Sequence, residues 1–299
     1  MDLPLYTTVS RSELSDLGSI NYHQFNHAIT LAQVMRQAGE SDAQKLFRDI
    51  LLRLRNGELS IADWKHLMQQ TVAEIEDPAP FDNAIRLFPR TAAVAEYNVA
   101  KLHSIGQPVA VIKAVHSGPG ASKVSADDAG GLEPVVCLAK GARVMLTANL
   151  CVQAGLVNGA TGTVVAVCYD GAESSPPCLP VAVTVQFDSY SGPTLHDRSV
   201  PIVPLRRMWL SSDKPCSRLQ LPLKLAWAVT IHKCQVMTLG KVVIDVGKKE
   251  FSAGLTFVAC SRVRELKDLL FVPPFPFQRV ANLASCRRHS ERLREETID

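Results

Sequence analysis

The 299-residue chain balances 32 Lys and Arg against 29 Asp and Glu, a net charge of +3, with 46% apolar and 20% charged residues. That is an ordinary globular composition, long enough for one large domain or two smaller ones with a real core, and its charge is too slight to demand a polyanion partner. Eight cysteines, at 137, 151, 168, 178, 216, 234, 260 and 286, form no Cys-x-x-Cys pair, which excludes a paired-cysteine zinc site and points to reduced thiols. The N-terminus MDLPLYTTVS lacks the basic and apolar regions of a signal peptide, and the apolar run LPLKLAWAVTI (221–231) is broken by Lys224 and too short to span a bilayer. A soluble, intracellular protein without a membrane partner is expected.

The first third reads as helical. HAITLAQVMRQAG (27–39) brings Ile29, Leu31, Val34 and Met35 near one face, with Gly39 as its stop. AQKLFRDILLRLRNG aligns Leu46, Ile50, Leu51 and Leu54 and ends at Asn56-Gly57. Ser60 fits an N-cap, with Asp63 three residues on. Beyond residue 84, AIRLFP (84–89) is a short strand stopped by proline, AAVAEYNVAKL (92–102) returns to helical spacing, and PVAVIKAVHS (108–117) is β-rich. A Gly/Ser/Ala/Asp loop fills 117–131, and ARVMLTANL (142–150) is a further strand. VNGATGTVVAVCYDG couples an Asn-Gly turn to a valine-rich strand, and PVAVTVQFDSYSG places Val181, Val183, Val185 and Phe187 on one side. These strands predict a small antiparallel barrel or sandwich, in which His196 is a loop side chain. After residue 219, KVVIDVG (241–247), a helix over SAGLTFVACSRVREL (252–266) and DLLFV (268–272) predict a βαβ unit of a parallel sheet. The C-terminal RRHSERLREETID is a charged, solvated tail.

Ligands of open parallel sheets bind beyond the carboxyl ends of the strands. AWAVTI should be a buried strand, so Thr230, His232, Lys233 and Gln235 emerge at such an end. This donor-rich set suits phosphate oxygens and sugar edges better than acid–base catalysis, because no carboxylate lies nearby to orient the histidine. A polar loop that merely caps the sheet is the competing reading. Arg262 and Arg264 follow Ser261, and a guanidinium suits charge on a transferring phosphoryl group; two surface arginines are the plainer alternative. GPGASKVS (118–125) imitates a phosphate loop, but its second glycine does not precede Lys123 and SADDAGG does not open a helix. No strand ends in an Asp-Glu pair suited to magnesium, and Asp245 in VVIDVG reads as structural.

Several stretches together resemble one family. LPLKLAWAVTIHKCQVMTLGKVVIDVG is similar to the fifth motif of the Pif-type, RecD-like DNA helicases of superfamily one, and GLTFVACSRVRELKDLLFV to their sixth. GGLEPVVCLAKGARVMLTANLCVQAGLVNGATGTVVAV resembles the segment leading into their accessory barrel, while IRLFPRTAAVAEYN and LAQVMRQAG resemble pieces just after the first RecA-like lobe. The order holds over residues 20–275. The resemblance implies a RecA-like α/β fold with an inserted small antiparallel β-barrel of the Src-homology type. It divides the chain into a helical lead-in (1–83), the first part of a second RecA-like lobe (84–149), the barrel (150–212), the second part of that lobe (213–280) and the tail (281–299).

In that family ATP and Mg2+ lie between two lobes, so the resemblance makes Arg262 the arginine finger and Arg36, in VMRQ, a second γ-phosphate arginine. It makes Thr230, His232 and Lys233 contacts to single-stranded DNA, and Gln235 the junction between DNA and nucleotide. The family commonly reads His-Lys-Ser-Gln-Gly where this chain has His232-Lys233-Cys234-Gln235-Val236, and β-branched Val236 lacks the left-handed freedom of glycine. The chain reads as beginning after the phosphate-loop lobe, so on its own it is expected to bind neither ATP nor magnesium. The partners implied are single-stranded DNA or a DNA fork and a first lobe. The activity implied is ATP-driven 5′ to 3′ translocation and unwinding in DNA repair, recombination and telomere maintenance, at a nuclear or mitochondrial address. An incomplete helicase, a non-catalytic single-stranded-DNA-binding module and a generic α/β protein all stand at this point.

Overall fold

The computed structural model describes residues 13–25, 27, 29, 33–171, 177–211, 214–235, 237–247, 250 and 254–281. Val236, Cys286 and the 282–299 tail lie outside the described residues. The chain divides into two compact units, residues 1–93 with 229–299 and residues 94–228.

The first unit begins with α1 (Glu13–Tyr22), α2 (Asp42–Asn56) and α3 (Ile61–Met68). Phe47, Ile50, Leu51 and Leu54 form the buried stripe of α2, whereas Leu46, expected on that face, is exposed. Gly57 ends α2 at φ 72°, a left-handed conformation that costs glycine little, and its N–H serves the carbonyls of Arg53 and Leu54. Ser60 and Asp63 form a reciprocal capping box at the start of α3. Of 27–39, by contrast, no described residue is helical; Arg36 and Gln37 form a turn in extended chain. The apolar spacing there was read as a helix face, but Ile29 and Met35 are 91% and 73% exposed, so no core holds such a helix.

The sheet of this unit begins with β1 (Ile85–Phe88), and its other three strands come later in the chain. After β1, α4 (Thr91–Ser104) leads into the second unit. That unit contains β2 (Ala110–Lys113), β3 (Val115–Ser117), β4 (Val135–Leu138), β5 (Arg143–Leu146), β6 (Thr161–Cys168) and β7 (Ala182–Phe187). It continues with β8 (Val200–Ile202), β9 (Leu205–Ser211), β10 (Lys214–Gln220) and β11 (Leu223–Leu225). The chain then returns through β12 (Ala228–Thr230), β13 (Val242–Ile244), α5 (Leu255–Cys260), β14 (Leu269–Phe271) and α6 (Gln278–Ala281).

The first unit's sheet has the order β12-β1-β13-β14, and β13 runs parallel to both β1 and β14. β13, α5 and β14 thus make the predicted βαβ connection. The helix is shorter than expected: it stops at Cys260, and residues 261–265 continue as turns and bends. Val263 nevertheless reaches zero exposure from that turn, so its apolar spacing marks burial without marking helix.

In the second unit, β5, β6, β7, β8 and β11 pair in the antiparallel order β11-β5-β6-β7-β8. Val183, Val185 and Phe187 point into its core beside Val144, Leu146, Ile202 and Leu223. A three-stranded sheet β3-β10-β9 and the pair β2-β4 complete the unit. The described pairings leave every sheet open, so the architecture is mixed α/β with a parallel sheet and open antiparallel sheets. Arg218 is fully buried and folds the 117–131 loop onto β10: Nη1 donates to Leu132 O (2.7 Å) and Nη2 to Ala121 O (3.0 Å) and Val124 O (2.6 Å). The decoy phosphate loop is therefore a structural strap whose carbonyls solvate a charge.

One prediction concerns α3. Arg53 donates to Asp63 through Nε (2.8 Å) and Nη2 (2.7 Å), and these bonds hold the Asp63 carboxyl down at about 2. The ionised form therefore stabilises the fold above the ordinary carboxylate range, and that contribution is lost as pH falls from about 4 through about 2. Denaturant unfolding of wild type and Asp63→Asn should show the variant less stable by about 1–2 kcal/mol at pH 7. The difference should narrow steadily below pH 5; a gap independent of pH would show that the ion pair contributes nothing.

Candidate functional site: a strand-end loop joined to a buried arginine

β12 ends at Thr230, and the chain turns at once. The carbonyl of Thr230 accepts from the backbone N–H of Lys233 (3.0 Å) and of Cys234 (3.3 Å), and Ile231 N donates to Phe88 O of β1 (2.9 Å). This tight turn sorts the side chains. Lys233 and Gln235 are exposed, Thr230 and His232 half-buried, and Cys234 wholly buried with its Sγ on Ile231 O (3.0 Å). Burial lowers the His232 pKa and pushes the Cys234 thiol up to about 11. The donor set expected from the sequence is thus gathered within one turn, with Cys234 as its inward anchor.

Arg262 does not project from a helix face. It follows the end of α5 and is 6% exposed, where two surface arginines were the plainer reading. Its Nε donates to Val258 O (2.7 Å) and its Nη2 to Ser261 Oγ (2.7 Å). Nη1 donates to the carbonyls of Cys234 (3.4 Å) and Gln235, so the guanidinium is bonded directly to the strand-end turn. Arg36 is linked to Arg262 through Ser261: its Nη1 donates to Ser261 O (2.8 Å), and its Nε donates to Thr238 Oγ1 (2.9 Å). Burial, and then the neighbouring charge of Arg36, lowers the ionisation tendency of Arg262, although a guanidinium stays protonated. The structure therefore brings together all six predicted residues: Thr230, His232, Lys233, Gln235, Arg36 and Arg262.

Other residues went unrecognised in the sequence. Gln37, 4% exposed, donates through Nε2 to Ser261 O (3.2 Å) and Val263 O (2.7 Å), and Gln44 Nε2 donates to Arg264 O (2.7 Å). Leu239 N serves Arg262 O (2.9 Å). The only local signal is that Gln37 adjoins Arg36; its partners are more than two hundred residues away. α5 is held from its other end by Glu250, which accepts from Thr256 N (3.0 Å) and Oγ1 (2.6 Å) and pairs with buried Arg279 Nη2 at 2.6 Å. Asp245 caps its own turn through Gly247 N (2.8 Å). Among the described residues no cluster of three His, Cys, Asp or Glu side chains could hold a metal ion, and no helix is long and apolar enough to cross a membrane.

No protein-family model matches the chain. It is 31% identical over 248 residues to the ATP-dependent DNA helicase PIF1 of Rattus norvegicus, a match that covers 81% of this chain and 34% of that protein. The crystal structure of Pif1 helicase from Candida albicans superposes with a TM-score of 0.67 at 26% identity, covering 89% of this chain and 59% of that one. Pif1 helicase from Bacteroides, solved with ADP-AlF3 and single-stranded DNA, shares the fold with a TM-score of 0.61 at 23% identity over 90% of this chain and 57% of that one. An α/β unit with a donor-rich strand-end turn bonded to Arg262 shares, in this company, the fold of DNA helicases. The chain is similar to the Pif1 helicases over most of its own length, and it spans about a third of the length of the curated relatives it matches.

Thiol labelling tests the inward anchor. Exposed Cys151, Cys168 and Cys178 should react promptly with a disulfide reagent in the native protein, whereas Cys234 and Cys260, the latter pushed up to about 12 by burial, should react only on unfolding. Peptide mapping that found native Cys234 labelled as fast as Cys151 would show that the turn is open.

Proposed function

We propose that this chain supplies the second RecA-like lobe of a Pif-type DNA helicase, with residues 150–212 contributing the accessory barrel. In this reading the 230–235 turn grips the backbone of single-stranded DNA through Thr230, His232 and Lys233. Arg262 and Arg36 act on the γ-phosphate of an ATP seated on a phosphate-loop lobe. The observation that carries the reading is the bond from Arg262 Nη1 to the carbonyls of Cys234 and Gln235. It makes the DNA-gripping turn and the phosphate-directed arginine one connected element.

The chemistry fits the residues present. Two guanidiniums share Ser261, one on its carbonyl and one on its hydroxyl, and two adjacent cations are complementary to a polyphosphate. Arg262 is a neutralising donor that would exchange its carbonyl partners for phosphate oxygens as charge develops. Gln235, exposed beside that exchange, sits where DNA contact and nucleotide contact meet. A cycle of exchange and return would close and open the lobes, so that alternating grips advance the chain along one strand, 5′ to 3′ by resemblance. The 299 residues contain no Gly-x-x-x-x-Gly-Lys-Ser/Thr sequence, so ATP turnover and Mg2+ binding require a phosphate-loop lobe in addition to these residues. Work on nuclear or mitochondrial DNA in repair, recombination and telomere maintenance belongs to the same reading.

A second reading is favoured by one observation. Arg262 is 6% exposed with its donors engaged, as suits a chain that keeps the DNA grip without catalysis.

Titration of labelled oligo-dT against the chain at two salt concentrations tests the grip. Affinity should fall as salt rises, and Lys233→Ala should lower the log–log slope by about 0.7, the loss of one phosphate contact. Binding without salt dependence, or none, removes the DNA role. Fusing the chain behind a phosphate-loop lobe tests catalysis. Arg262→Ala should then reduce ATP turnover about 10³-fold or more, whereas unchanged turnover would leave the non-catalytic reading.

A further inference from the structure

Four consecutive carbonyls follow the end of α5, at Ser261, Arg262, Val263 and Arg264, where the helix has stopped and no next turn supplies their donors. Each is met from another part of the first unit. Ser261 O accepts from Arg36 Nη1 (2.8 Å) and Gln37 Nε2 (3.2 Å), and Arg262 O accepts from Leu239 N (2.9 Å). Val263 O accepts from Gln37 Nε2 (2.7 Å) and Arg264 O from Gln44 Nε2 (2.7 Å). One carboxamide, that of Gln37, therefore bridges the carbonyls on either side of Arg262. It is 4% exposed, so water cannot replace it cheaply. Gln37 is itself fixed: Arg48 Nη1 donates to the carbonyls of Gln37 (2.9 Å) and Gly39 (2.5 Å).

We infer that Gln37 is a positioning residue for Arg262, setting the backbone turn from which that guanidinium reaches the strand-end loop, with Gln44 as its companion on the next carbonyl. The reason is geometric. A side-chain amide has two N–H donors in one plane, and here both are spent on carbonyls two residues apart, which fixes the peptide plane before Arg262 and the one after Val263. Losing these donors leaves Val263 O unmet and Ser261 O with Arg36 Nη1 alone, and the cheapest relief is rotation of those planes. That rotation would carry the Arg262 Cα–Cβ vector with it. The inference rests on the proposed role of Arg262 for its functional meaning, although not for its test.

The test reads Arg262 directly in the full chain labelled with 15N-arginine. Hydrogen exchange at the Arg262 Nε–H, which donates to Val258 O, is compared with that at Arg53, whose Nε–H donates to Asp63 in the same unit. Gln37→Leu keeps the volume and removes both donors. It should speed Arg262 exchange about tenfold or more relative to Arg53, the size expected for losing one or two net hydrogen bonds. Gln44→Leu should give a smaller change in the same direction.

Gln37→Glu supplies the arm a purely structural role would not move. As a carboxylate it cannot donate, but as the protonated acid it regains one donor. The ratio of Arg262 to Arg53 exchange should therefore return toward wild type as pH falls through that carboxyl's titration. An unchanged ratio in Gln37→Leu, or equal acceleration at Arg53, would overturn the inference, as would a Gln37→Glu ratio indifferent to pH. ATP turnover is not part of this readout. A negative turnover result for Arg262→Ala beside a positive exchange result would remove the phosphate role and leave the positioning intact.

Discussion

The first unit is organised around the solvation of one buried charge. A guanidinium that cannot deprotonate and is 6% exposed must find its solvent inside the protein, and Arg262 finds it in backbone carbonyls and one hydroxyl. That demand explains why α5 stops at Cys260. A helix continued through 261–266 would spend the Val258 carbonyl on its own ladder and swing Arg262 away from the turn after β12. Stopping the helix leaves the carbonyls of residues 261–264 without helical donors, and Arg36, Gln37, Leu239 and Gln44 meet them instead. Helix length, the irregular path of residues 33–41 and the geometry of the strand-end turn thus follow from a single electrostatic requirement.

The sequence made legible those parts whose cause lies within a few residues. Gly57 and the Ser60–Asp63 box are local chemistry, and both ends of that loop fold as their residue types dictate. The βαβ connection was visible because β13 and β14 are short β-rich runs on either side of an apolar stripe. The two helical misreadings share a cause. At 261–266 the spacing reported burial correctly, since Val263 is fully buried, but burial is reached from an irregular turn whose carbonyl donors lie more than 200 residues upstream. At 27–39 the described apolar residues Ile29, Val34 and Met35 have no core behind them. Periodicity counts which residues want to be buried; it does not say which backbone carries them there.

The antiparallel strands teach the same lesson at the level of topology. Alternation over Val181, Val183, Val185 and Phe187 predicted one inward face within 150–212; the last three lie in the core, whereas Val181 is exposed. The sheet that face belongs to draws in Arg143–Leu146 and Leu223–Leu225, which pair with each other across about eighty residues of chain. No pattern within either segment announces its partner. The GPGASKVS stretch was rejected as a phosphate loop on its spacing. Its structural purpose, offering carbonyls to Arg218, depends on a buried arginine far along the chain.

Why a cysteine can occupy position 234 follows from the same geometry. The turn after β12 is defined by backbone bonds to Thr230 O, and Arg262 reads it through the carbonyls of Cys234 and Gln235 rather than through their side chains. A side chain at 234 needs only to be small enough for full burial and able to tolerate a nearby carbonyl, and the thiol does this with Sγ on Ile231 O. The junction between arginine and turn is therefore insulated from exchange of one small side chain for another. Lys233 and Gln235, on the outward positions of the same turn, are exposed. The turn is thus recognised through its backbone on the inside and presents its side chains on the outside.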